Sequence, residues 1–173
     1  MEVLLEFGTR AQKERYLIPL LRGEIRSAFL MTEPAVASSD PTNLQTKLIK
    51  RTGLLGGTDY VLKGRKWWST GAMDPRTRVA LVVARMEGSS ASKHGAHTIV
   101  AVPMPQPNVR MVRPLTLFGY DDAPFGHAEV DLDNVVLTPD DLVLGEGSGF
   151  QVSQARLGPG RIHHCMRAIG MGM

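Results

Sequence analysis

Cysteine occurs once, as Cys165, so no internal disulfide can staple this chain and its core must hold by packing alone. That lone thiol is consistent with a reducing compartment. Long apolar runs are missing too: nothing approaches the roughly 20 residues that a bilayer-spanning helix needs. The opening Met1 to Phe7 is apolar but acidic and short, which does not read as a cleavable signal. Charge of one sign is scarce, since the net +3 is spread along the chain in ones and twos. This argues against a nucleic-acid surface and only slightly for an anionic ligand. Arg156, Arg161 and Arg167 form the nearest thing to a cluster, and by themselves they read as a solvated helix face. There is no G-x-S-x-G, no P-loop and no dinucleotide fingerprint. His163, His164 and Cys165 do not make a metal site, because consecutive helical residues point about 100° apart. They read as packing or interface residues.

What is present fits a globular domain. The 173 residues are 43% hydrophobic and 21% charged, enough for one domain with a sizeable core. Thr9 and Gln12 read as a capping box that opens a helix. Leu17, Leu20 and Leu21 continue it, Pro19 should kink it near Ile18, and Gly23 ends it. The apolar face of this helix lacks an evident partner nearby, the first hint of a piece of something larger. From Ile25 the period turns to alternation and short apolar runs. Strands are expected near Arg26 to Thr32, Leu44 to Lys50, Asp59 to Trp68, Val79 to Arg85, Thr98 to Pro103, Val109 to Leu115 and Gly126 to Leu132. Seven short strands predict an antiparallel sandwich or barrel. Gly56-Gly57 marks a turn, and Gly88 to Gly95, with its serines and Lys93, a mobile, functionally silent loop. After Asp140-Asp141 the pattern returns to helix from Phe150, with a break expected at Pro159 between Gly158 and Gly160. The apolar pattern of Ala168 to Met173 stops without a cap, so a longer parent chain is expected.

The stretch around which the rest is organised is Phe29 to Asp40, FLMTEPAVASSD. Pro34 ends the strand near Thr32, and the small and hydroxyl residues that follow leave backbone open to a ligand. The alternative is ordinary turn chemistry, with Asp40 bonding neighbouring amides. Trp67 and Trp68 are successive strand residues, so one should point inward and the other outward.

The Phe29 to Asp40 stretch resembles the flavin-binding signature of the acyl-CoA dehydrogenase family. Gly64 to Gly71, GRKWWSTG, resembles that family's second flavin motif, at a spacing its members show. Val143 to Phe150, VLGEGSGF, is similar to the loop leading into its carboxyl-terminal helical domain. Gly158 to Met171, GPGRIHHCMRAIGM, is most similar to the subgroup of family members ten and eleven. The resemblance covers essentially the whole chain. It implies a mainly β fold: the antiparallel barrel or sandwich middle domain, over residues 25–139. Residues 1–24 would end an amino-terminal helical domain, and residues 140–173 would be a linker and the start of a carboxyl-terminal one.

By the same resemblance the cofactor is FAD and the substrate an acyl-CoA, oxidised to enoyl-CoA. Phe29, Met31 and Thr32 match flavin-contacting positions. Ser38 or Ser39 matches the serine that reaches the pyrophosphate, and Ser39 also the substrate. Trp68 matches the aromatic beside the ring, and Ser69 or Thr70 the hydroxyl near N5. Arg161 matches an arginine near the thioester, while Gly158 stands where some members carry an acid. The base is a carboxylate of the carboxyl-terminal domain, so no catalytic residue is expected here. Glu33 is expected to be tied to backbone instead, and the chain alone is expected not to turn over acyl-CoA. For the whole protein the resemblance implies an electron-transfer flavoprotein or similar acceptor and a homo-oligomer. Family members work in mitochondria, peroxisomes or bacterial cytoplasm. Two other readings stand beside this one: an oxidase or monooxygenase of the same fold, and a non-catalytic binding module that folds without flavin.

Overall fold

A computed structural model describes residues 1–53, 56–89 and 94–173. The centre of the Gly88 to Gly95 loop, with Lys93, lies outside the described residues. Helix α1 (Glu2–Phe7) is followed by α2 (Arg10–Gln12), a π-helical turn (Lys13–Leu17) and α3 (Ile18–Leu21). The capping box is formed: Gln12 N donates to Thr9 Oγ1, and Thr9 N to Gln12 Oε1, both at 3.2 Å. The interruption expected from Pro19 takes the form of the wide π turn just before it. Gly23, at φ +73, closes the helix as its amide bonds Leu20 O and that of Glu24 bonds Pro19 O.

Eight strands follow: β1 (Arg26–Leu30), β2 (Lys47–Thr52), β3 (Thr58–Thr70), β4 (Thr77–Met86), β5 (His97–Pro103), β6 (Val109–Leu115), β7 (His127–Leu137) and β8 (Leu142–Val143). They form one curled sheet in the order β6-β7-β3-β2-β4-β5-β8, with β1 added against β4. The mainly β expectation holds, with a correction to its antiparallel character. Among the described residues β1 and β2 both pair with β4 in parallel, and the sheet does not close. The short β8 carries too few residues to show a period. Strand β2 starts at Lys47 rather than Leu44 for a local reason. Asp40 caps a 3-10 turn (Pro41–Asn43) by accepting Thr42 N, and the amides of Gln45 and Thr46 are taken by Glu33.

Strands β4 and β5 are buried on both faces, which is why they read as continuous apolar runs. Ala80, Val82, Val100 and Val102 face the hollow of the sheet with Leu48, Leu62, Val130 and Leu132. Val79, Leu81, Val83, Ile99 and Ala101 face outward and are covered by Leu4, Tyr16, Leu17 and Leu20. The partner of the first helical segment is thus within the chain. Gln12 fixes the arrangement by donating to Asp140 O and Leu142 O at 2.8 and 3.0 Å.

The last element, α4 (Gly149–Gly172), runs through Pro159 without the expected break. Proline removes one helical hydrogen bond, and the flanking Gly158 and Gly160 have open space where side chains would be. The root of α4 is fixed. A Cβ on Gly149 would lie 2.7 Å from the backbone of His97 and Thr98, and Val152 and Ser153 are buried. The loop before it is latched by Glu146, which accepts from Tyr60 Oη and pairs with Lys50 Nζ at 2.9 Å. Burial, with this bond second, pushes the Tyr60 hydroxyl up to about 12.

One buried ion pair joins the end of β1 to β3. Lys66 is fully buried, and its Nζ donates to Glu33 Oε1 at 2.8 Å and to Met31 O at 2.9 Å. The same carboxylate accepts Gln45 N at 2.7 Å and Thr46 N at 2.9 Å. Burial pushes the Lys66 ammonium down to about 8, against the pull of the Glu33 charge and hydrogen bond. Burial pushes the Glu33 carboxyl up, but Lys66 and the bonds from Thr46 and Gln45 outweigh it and hold it below its ordinary value.

Glu33→Ala leaves a buried ammonium and two amides unpaired, and should cost about 3–5 kcal/mol in urea unfolding. Glu33→Gln with Lys66→Met keeps an acceptor, removes both charges, and should cost less. A free lysine titrates near 10.5, so between about 8 and 10.5 the unfolded chain holds a proton that the folded chain has released. Stability should therefore rise with pH across that window relative to the double variant. A relative fall would show that the ammonium is not destabilised by burial.

Candidate functional site

A cleft of about 650 Å³ opens where the end of β1, the end of β3, α1 and the root of α4 meet. Phe29, Met31, Thr32, Trp67, Trp68, Thr70 and Arg156 line it. The two motifs are joined by the buried pair and by Trp67 N, which donates to Thr32 O at 3.0 Å.

The tryptophans do not alternate as the strand period predicts. The β3–β7 ladder shifts register between Lys66 and Ser69, and Trp68 takes φ 50, a left-handed conformation that a bulky residue rarely adopts. This bulge turns both indoles toward the cleft, with ring centroids 6.2 Å apart. Trp68 remains 40% exposed, and such a backbone conformation costs on the order of 1–3 kcal/mol, the kind of strain that clusters at binding sites. Trp67 Nε1 is buried with no hydrogen-bond partner, as is Ser69 Oγ. An unpaired buried donor costs about 1–3 kcal/mol, which a ligand acceptor beside Trp67 would relieve.

The other expected site residues are placed as follows. Thr70 lines the cleft, while Ser69 is buried outside its lining. Ser38 is occupied by the turn: its Oγ accepts Glu33 N at 2.9 Å, with Glu33 O and Val36 O both at 3.3 Å. Ser39 is exposed on the same turn. Arg161 is exposed on α4 beyond the cleft, as are His163, His164 and Cys165. Glu33 is committed to the Gln45 and Thr46 amides and to Lys66, so it cannot act as a free base.

Three residues at the site were not singled out for it by the sequence. Arg156 holds its guanidinium carbon 4.1 Å from the Phe29 ring centroid, and burial pushes its pKa down against the pull of Glu2. Lys66 anchors the motif from below, and His127 contacts Thr70 from β7. One turn's separation on a helix is the signal for Arg156, since it faces the sheet as Val152 does; Lys66 and His127 carry no local signal. A second hollow, about 590 Å³, lies by Asn43, Lys47, Arg85 and Glu87. Its Lys47 and Glu87 pair with each other at 2.8 Å, so it offers weaker chemistry.

Residues 28–135 match the family model described as acyl-CoA dehydrogenase, middle domain. The chain is 51% identical over 172 residues to mouse acyl-CoA dehydrogenase family member 11, covering 99% of this chain and 21% of that protein. It is 45% identical over 170 residues to mouse family member 10, covering 98% of this chain and 15% of that protein. Among solved structures it superposes on butyryl-CoA dehydrogenase from Megasphaera elsdenii with a TM-score of 0.79 at 27% identity, covering 93% of this chain and 39% of that one. The chain thus spans about a fifth of the length of the curated relatives it matches first. With more than half of its residues in the matched span, and with both motifs converging on one cleft, the chain belongs to the acyl-CoA dehydrogenase family.

Proposed function

We propose that the chain is the flavin-holding middle part of an acyl-CoA dehydrogenase, with residues 1–24 and 140–173 belonging to the helical domains on either side. The observation that carries this is the strained bulge at Trp68, which turns both indoles and Thr70 onto the segment Phe29 to Thr32. The residues present fit an FAD ring system: flat aromatic walls, hydroxyls at Thr32 and Thr70, and a buried indole N–H without an acceptor. FAD bound there would take a hydride from an acyl-CoA as a base removes the neighbouring proton, leaving enoyl-CoA.

The chain's own residues orient and select. Trp67 Nε1 would donate to an acceptor on the ring, and Trp68 would pack on the ring and exclude water from it. Arg156, half-buried over Phe29, would supply positive charge for an anionic part of the ligand. Ser38 and Ser39 would act at the mouth of the turn, Ser38 chiefly by holding its shape. Arg161 would act in the whole protein, where further helices can cover the exposed part of α4. Glu2 is the one carboxylate among the described residues that line the cleft, and the proton-removing base belongs to the rest of the protein. An electron-transfer flavoprotein or similar acceptor would reoxidise the whole enzyme, and exposed Ile162, Met166 and Ile169 on α4 fit burial in an oligomer or a further domain.

Titrating the chain with FAD should give saturable quenching of its two tryptophans. Thr32→Ala with Trp68→Ala, confirmed as folded, should weaken binding at least about tenfold through lost stacking and hydrogen bonding. A folded parent chain with unquenched tryptophans would remove the flavin site from this reading. The chain loaded with FAD and given acyl-CoA should not reduce an external dye. Clear reduction would place a competent base within these residues.

A further inference from the structure

The Thr70 hydroxyl is held by an imidazole that the reading above leaves without a role. His127 opens β7 directly across from Thr70 in the ladder, and its Nδ1 lies 2.9 Å from Thr70 Oγ1. Its ring packs against Trp68, centroids 5.9 Å apart. On the other side β6 presents Leu115, which is apolar. Nε2 faces Asp122 Oδ2 at 3.6 Å, a charge contact longer than a hydrogen bond. Asp122 is turned there by its own φ of 54 and by Gly126 N, which donates to Asp122 O at 2.9 Å.

A carboxylate beside Nε2 favours the tautomer with the proton on that nitrogen. Nδ1 then carries only a lone pair, which leaves one direction for its bond to Thr70: the threonine donates. A hydroxyl has a single proton, so with that proton committed Thr70 can offer the cleft only lone pairs. If the proton stood on Nδ1 instead, the threonine would accept from it and could donate into the cleft. Which form the site prefers is thus decided outside the cleft wall, at Nε2.

We propose that His127 is a positioning residue that fixes the Thr70 hydroxyl as an acceptor, so that this edge of the cleft selects an N–H donor on the bound heterocycle. Resting on the flavin reading, this means the site favours reduced FAD, whose ring gains an N–H, over oxidised FAD. The contribution of one such hydrogen bond corresponds to about a three- to tenfold preference. Asp122 supports it through the imidazole, without touching the cleft.

Two measurements test this. The first needs no flavin: nitrogen-15 shifts of the imidazoles in the parent chain, with His127 assigned by its loss in His127→Asn. The proton should be on Nε2, and Asp122→Asn should raise the share on Nδ1. The second compares tryptophan quenching by oxidised and chemically reduced FAD. His127→Phe and Thr70→Val should each lose the preference for the reduced form by about three- to tenfold, with no further loss when combined. His127→Asn, which can place an acceptor where Nδ1 was, should keep most of it. A proton on Nδ1 in the parent overturns the proposal, and so does an unchanged preference in a folded His127→Phe. A proton on Nε2 together with no quenching by either form supports the fixed hydroxyl and overturns the flavin reading instead.

Discussion

The site depends on a carboxylate and an ammonium buried against each other. Glu33 and Lys66 come from segments more than thirty residues apart, and both are buried, so the backbone groups they also bond, the Gln45 and Thr46 amides and Met31 O, leave each charge without another counter-charge. Leaving either alone would strand a charge in the protein interior, a far larger penalty than a surface pair ever recovers. The pair is therefore less a source of net stability than a constraint on which arrangement is allowed. It requires the end of β1, the start of β2 and the bulged part of β3 to meet at one point.

From that constraint the cleft follows. Lys66 must point down to reach Glu33 and Met31 O, and Ser69 returns to the buried face three residues later. A regular strand would reverse side at each residue in between. The bulge absorbs the mismatch, with the left-handed conformation falling on Trp68 and both indoles emerging on one side. The strain at Trp68 and the burial of Lys66 are thus two ends of one geometric solution.

Much of this was legible in the sequence where the signal is local. The capping box of Thr9 and Gln12 and the existence of β2 to β7 rest on neighbouring residues, and the structure keeps them; β1 stops ahead of Pro34 as expected, but at Leu30, two residues short of Thr32. What was not legible depends on partners distant in the chain. Lys66 reads as a polar residue of a half-exposed strand until Glu33 is seen beneath it. The two tryptophans read as opposite-facing until the register shift against β7 is known. The parallel pairing of β1 and β2 with β4 comes from crossovers that no strand announces, and α4 runs on through Pro159 with the loss of one helical hydrogen bond. Of the positions assigned by resemblance, Phe29, Met31, Thr32, Trp68 and Thr70 converge on one cleft, whereas Ser38 spends its hydroxyl on the turn and Arg161 lies beyond the wall that Arg156 occupies.

The placement of Arg156 along α4 has a mechanical consequence. At about 1.5 Å per residue it stands roughly 10 Å from the root that Gly149 and the Glu146 latch hold against the sheet. Pro159 lacks the amide hydrogen that would bond Ala155 O, so the turn from 155 to 159, which carries Arg156, is the least braced of the helix. A load applied to the exposed far part of the helix therefore bends it at the turn that carries the arginine. The guanidinium over Phe29 thus stands at the hinge of the helix, and whatever steadies the outer helix also steadies that wall of the cleft.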